Sequence, residues 1–141
     1  MAAVHGLDRA MLDYPVRAGL ILMMDRAFTP KLNAAVVERA IRFSTRGVVA
    51  IDIGGPRPGG PEAPYDYSQL RPLVDRAREH GLRVTFHVGE EGVNATDPRP
   101  HIEEMHQVLD LEPDRIGHGI MAAYDQELRA RVREQDVVLE L

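Results

Sequence analysis

Leu82-Arg-Val-Thr-Phe-His-Val-Gly-Glu90 is the stretch on which the reading of this chain turns. Leu82 to Phe86 is short, apolar and rich in β-branched and aromatic side chains, the composition of a buried strand. It runs into His87, and Gly89 then permits a tight turn that brings Glu90 back toward the strand end. Upstream, Leu70, Leu73, Val74 and Ala77 recur at helical spacing and stop at Gly81. Downstream, Ile102, Met105 and Leu109 mark a second helix face, after which Asp114-Arg-Ile-Gly-His118 is again short and strand-like. The local unit is helix, strand, helix, strand, with a histidine closing each strand.

The same alternation extends to both ends. Ala18 to Met24 is a continuous apolar run, followed by Thr29 as a helix cap and Pro30 as the first helical residue. The helix after it is expected to bury Leu32, Ala35, Val36, Ala40 and Ile41. Gly47 to Ile53 reads as the next strand, and Gly54 to Pro64 as a long loop leading to a helix. Asp125 caps a helix carrying Leu128 and Val132, Val137 to Leu141 begins a further strand, and Val4, Leu7 and Met11 suggest a short leading helix. About five strands with four intervening helices, the strands continuously apolar, predict a parallel sheet covered by helices, in one unit spanning residues 1–141. Two closures fit this pattern: an open doubly wound sheet, or part of a (β/α)8 barrel, whose full circuit takes ~250 residues. Both gather ligands at the carboxyl ends of the strands.

Composition narrows the chemistry. A net charge of −5 argues against a nucleic-acid backbone as partner, which requires a basic face. An uncharged nucleoside remains compatible. Cysteine is absent, so any metal must be held by histidine and carboxylate groups, and zinc deaminases built on a Cys-x-x-Cys element are excluded. No apolar run is long enough to cross a bilayer, and the N-terminus lacks the pattern of a signal peptide; the expected location is the cytoplasm.

Adjacent parallel strands lie ~4.8 Å apart, so His87 and His118 are expected to face one cavity. A histidine there suits a metal, and a neighbouring carboxyl group such as Glu90 suits proton transfer. Asp52 lies inside an apolar strand and needs partners if buried. Gly55 offers a bare backbone N–H to a planar ligand, although Gly54, Gly55 and Pro56 read equally well as a plain strand terminator. His5, His80, His101 and His106 are expected at the surface.

The segments Val48-Val-Ala-Ile-Asp-Ile-Gly-Gly55, Val84-Thr-Phe-His-Val-Gly-Glu90 and Arg115-Ile-Gly-His-Gly-Ile120, in this order and spacing, resemble the adenosine deaminase family of the amidohydrolase superfamily. Leu20 to Arg26 and Val137 to Leu141 are similar to flanking strands of that family. The resemblance implies a (β/α)8 barrel and hydrolytic removal of the 6-amino group of a purine nucleoside by a zinc-bound hydroxide. By matching positions it implies Zn2+ held in part by His87, proton transfer by Glu90, stabilisation of the attacking oxygen by His118, and a hydrogen bond from Gly55 N–H to the purine. The family's His-x-His pair has no counterpart here, since His5 is followed by Gly6 and Leu7, and Leu141 precedes the position of its Asp-Asp pair. The resulting expectation is the central portion of such an enzyme, active only in a full-length form and prone to self-association through exposed barrel edges. Two alternatives stay open: a non-catalytic module that binds a nucleoside or a protein, and a deaminase of another adenine compound such as adenine or aminodeoxyfutalosine.

Overall fold

A computed structural model of the protein describes residues 2–60 and 63–141. Helix α1 (Ala2–Asp13) leads into β1 (Leu20–Asp25), α2 (Pro30–Arg42), β2 (Val48–Gly54), α3 (Arg71–Glu79), β3 (Arg83–Val88), α4 (Arg99–Asp110), β4 (Arg115–His118), α5 (Gln126–Glu134) and β5 (Val138–Glu140). Short 3-10 turns over Ser44–Arg46, Tyr67–Leu70 and Ile120–Ala123 complete the described elements. The expected loop from Gly54 to Pro64 follows β2, with Pro61 and Glu62 outside the described residues.

All five strands are parallel and lie in sequence order, β1-β2-β3-β4-β5. That order decides between the two closures. Parallel crossovers are right-handed, so helices change sides of a sheet only where the strand order reverses. No reversal occurs, and the crossover helices α2 to α5 fall on one face. The fold is an open section of a barrel-type sheet, as the family resemblance implies.

Side chains alternate between the faces, and the register turns this alternation into rows. Met24, Ile53, Phe86, Ile116 and Leu139 are paired in succession across the sheet, and the first four are fully buried under the helices. One residue back in each strand, the inner face carries Met23, Asp52, Thr85, Arg115 and Val138. Met23 and Val138 are 52% and 49% exposed.

Helix α2 starts as expected: the Thr29 hydroxyl accepts a hydrogen bond from Leu32 N at 3.3 Å, with Pro30 in the first turn. Its buried face differs. Asn33, Val37 and Ala40 point inward, whereas Leu32 is 52% exposed and Ala35 is also exposed. Asn33 accounts for the rotation: its amide accepts from Asp25 N and donates to Asp25 O, both at 3.0 Å. These bonds satisfy the backbone at the end of β1 and leave Leu32, Ala35 and Val36 beside Leu22, Met23 and Phe28 in an open groove of about 430 Å3. Among the described residues, no helix is long and apolar enough to cross a membrane.

Candidate active site

His87 stands on the inner face near the end of β3, between two glycines on neighbouring strands. A Cβ at Gly117 of β4 would lie 3.0 Å from His87 Cδ2, and one at Gly54 of β2 would lie 3.7 Å from His87 Cγ. The glycines thus leave the room that the imidazole occupies. Asp52, 7% exposed, receives Nδ1 of His87 on its carboxylate, at 2.9 Å from Oδ2 and 3.1 Å from Oδ1. Burial pushes the Asp52 carboxyl above the usual range, while the hydrogen bond and the charge of His87 pull it partly back. With Nδ1 engaged, Nε2 is the ring atom left for a ligand or metal.

His118 reaches the same space by breaking the alternation of its strand. Its register partner is Val88, a buried residue one step out of phase with His87 and Gly117. Regular strand geometry would send its ring toward the helices. Instead His118 adopts φ +72°, and its ring centroid lies 5.5 Å from that of His87, with the planes 67° apart. A left-handed conformation costs a residue with a side chain ~1–3 kcal/mol. The turn is held by Gly119 N donating to Val88 O at 2.9 Å and Met121 N to Gly89 O at 3.2 Å.

Gly89, at φ +75°, is packed so closely that a Cβ would meet Met105 Sδ at 2.6 Å and Gly119 Cα at 3.2 Å. This close turn carries Glu90 to His118, where Oε2 and Nε2 are 2.5 Å apart. The two side chains remain 36% and 38% exposed and can exchange protons with a bound molecule or with water. Gly55, at φ +80°, lies against β1: a Cβ there would collide with the Asp25 carboxylate at 2.4 Å. Its carbonyl accepts from Arg26 Nε at 2.8 Å, and Arg26 Nη1 donates to the buried Tyr67 hydroxyl at 3.0 Å. Burial pushes that phenol up to about 12, against the pull of Arg26.

The structure therefore brings His87, His118, Glu90 and Asp52 together at the carboxyl ends of β2, β3 and β4, with Gly55 closing the end of β2. His5 and His80 are exposed, as expected, and His106 is half-buried, with Nδ1 2.9 Å from Arg131 Nη1. His101 is a correction: it is 2% exposed. His101, Glu104, Met105 and Val108 all lie on the buried face of α4. Their i, i+3, i+4, i+7 spacing was the available signal, masked by the polar character of two members. Arg57, Glu104 and Arg26, each buried, were likewise missed.

Among the described residues, no group of three or more histidine, aspartate, glutamate or cysteine side chains is placed to hold a metal ion. A catalytic zinc needs about three protein ligands and an open position. His87 Nε2 suits one ligand, but the described donor set does not make the centre.

The chain matches the adenosine deaminase family profile over residues 1–141. An adenosine deaminase of Clostridium perfringens is 32% identical over 140 residues, which is 99% of this chain and 39% of that protein. The N6-methyl-AMP deaminase of Arabidopsis thaliana superposes with a TM-score of 0.66 at 27% identity, covering 86% of this chain and 32% of that one. An amidohydrolase of Burkholderia ambifaria with bound Zn gives 0.69 at 27% identity, covering 96% and 34%. The chain thus spans about two fifths of the length of the curated relatives it matches. Fold and neighbours place the chain among the barrel-type proteins of the amidohydrolase class. Within that class, the chain belongs to the adenosine deaminase family.

Proposed function

We propose that the protein serves the hydrolytic deamination of adenosine, or of a related 6-aminopurine, to the 6-oxopurine and ammonia, in a form that supplies the remaining metal ligands. The observation that carries this reading is the convergence of His87, Glu90 and His118 at two adjacent strand ends. In the reaction, the oxygen of water bonds to C6, the bond from C6 to the amino nitrogen breaks, and that nitrogen leaves as ammonia. Glu90, as the acid, delivers a proton to the ring nitrogen beside C6 and, as the carboxylate, collects one from the attacking water; the second water proton goes to the departing amino group, which leaves as ammonia. His118, in contact with Glu90, orients and stabilises the attacking oxygen. Gly55 N–H holds the purine ring. With the remaining ligands supplied, His87 Nε2 would be one of the residues holding Zn2+, its ring oriented by Asp52, and the metal would supply activation of water.

Adenosine, AMP and N6-methyl-AMP should be assayed in parallel for loss of the 6-amino group, with and without added zinc. Nucleotides belong in the set because an N6-methyl-AMP deaminase shares this fold. Turnover that falls ~10²-fold or more in Glu90→Gln supports the reading. The incomplete donor set favours a second reading, a binding module without turnover. Saturable adenosine binding by equilibrium dialysis, with no inosine formed at any zinc concentration by a form that supplies the remaining metal ligands, would establish that alternative and sink the first.

A further inference from the structure

The loop carrying Gly55 and the loop carrying Glu90 are tied together by a side chain that contacts neither residue. Arg57, two positions after Gly55, has a side chain only 3% exposed. Its Nη2 lies 2.8 Å from Oε2 of Glu91 and 2.6 Å from Oε2 of Glu104, and its Nη1 donates to Oε1 of Glu104 at 2.7 Å. The same Glu104 oxygen accepts from Tyr65 N at 3.3 Å, so the far end of the Gly55 loop is also fastened to α4. The Glu90 loop is seated on that helix as well: a Cβ at Gly92 would lie 2.7 Å from His101 Cδ2. A guanidinium between two carboxylates is a rigid planar bridge that an ammonium group does not reproduce.

Glu90 and Glu91 are consecutive but engage different partners, His118 and Arg57. Holding the Glu91 side chain therefore fixes the backbone from which Glu90 projects. We propose that Arg57 is a positioning residue: through Glu91 and Glu104 it locks the loop after β2 to the loop after β3, and so sets Glu90 against His118 and at a fixed distance from Gly55. The catalytic consequence rests on the deaminase reading; the positional one does not.

Removing Arg57 outright strips the buried Glu104 carboxylate of its guanidinium and endangers folding. Glu91→Gln and Arg57→Lys are the useful variants, because the first keeps the Arg57–Glu104 pair and the second keeps the charge. In Glu91→Gln, amide exchange over residues 89–92 should quicken about tenfold. The His118 ring nitrogen signals should shift, and the melting temperature should stay near that of the wild type. Arg57→Lys should show the same exchange and ring-shift changes, since charge without the planar fork does not restore the bridge. Where the wild-type protein turns over a 6-aminopurine, kcat should fall ~10-fold or more in both variants with KM little changed. Unaltered exchange and unaltered His118 signals in Glu91→Gln would overturn the proposal, as would full retention of both in Arg57→Lys. If a form that supplies the remaining metal ligands deaminates nothing, the deaminase reading fails, and the exchange and ring signals still decide the role of Arg57.

Discussion

Across the helix-covered face of the sheet runs the row Met24, Ile53, Phe86, Ile116 and Leu139; one residue back, across the inner face, runs Met23, Asp52, Thr85, Arg115 and Val138. The first row is apolar throughout, and burying each such side chain contributes ~1.5–3 kcal/mol. The second mixes charge with half-exposed apolar groups and closes its charges in pairs: Asp52 with His87, and Arg115 with Glu140. A single step along each strand separates the row that holds the fold from the face on which Asp52 and His87 meet. The covered face can therefore be damaged without touching the chemistry, and the inner face without unfolding the protein.

The adjacent residues Phe86 and His87 test this division most severely. Phe86→Ala should cost ~3–5 kcal/mol in urea denaturation. His87→Ala, on a half-exposed side chain, should change stability by under ~1 kcal/mol and abolish turnover. If His87→Ala costs as much as Phe86→Ala, the two faces are not distinct in the way described. Gly117→Ala probes the space that His87 needs. Its new Cβ, 3.0 Å from Cδ2, should displace the ring at a cost of ~1–3 kcal/mol, visible as a shift of the His87 ring signals.

His118→Gly sharpens the comparison from the other side. Relief of the positive φ should stabilise the protein by ~1 kcal/mol in thermal denaturation while removing the contact with Glu90. Activity and stability should thus move in opposite directions. The smallest effect concerns Asp52. Its carboxyl is raised by burial, so the stability that protonation contributes is full below the ordinary carboxylate range and is lost as pH rises through the raised value. Asp52→Asn should therefore gain stability relative to the wild type at about pH 7 and little at about pH 4, as read from urea midpoints. Equal gains at both would assign the effect to packing.

Strand number, direction and the three motifs were legible in the sequence because they rest on local periodicity and on glycines beside a strand end. Both His87 and His118 were expected at one cavity from their strand ends, and alternation along the strand agrees for His87. For His118 it does not: alternation assigns the ring to the helices, and a backbone angle that no sequence pattern announces is what brings it to His87. The face of α2 was placed in part: Ala40, Val36 and Ile41 meet the core as expected, but Asn33 outcompetes Leu32 for the interior through two hydrogen bonds to Asp25. Arg57 and Glu104 were unreadable for the same kind of reason. Charged residues enter the interior as partners, and partners nearly fifty residues apart leave no mark on either local pattern.

The sequential strand order has a bearing on how the molecule comes to be made. Each strand pairs only with its immediate predecessor and successor, so Ile53 meets Phe86, Phe86 meets Ile116 and Ile116 meets Leu139 without any distant segment intervening. A chain of this kind can add one strand and one helix at a time as it leaves the ribosome. The pairing of His87 with His118 must then wait for β4 to dock on β3, which makes nascent chains that have newly acquired the site distinguishable from those one unit shorter.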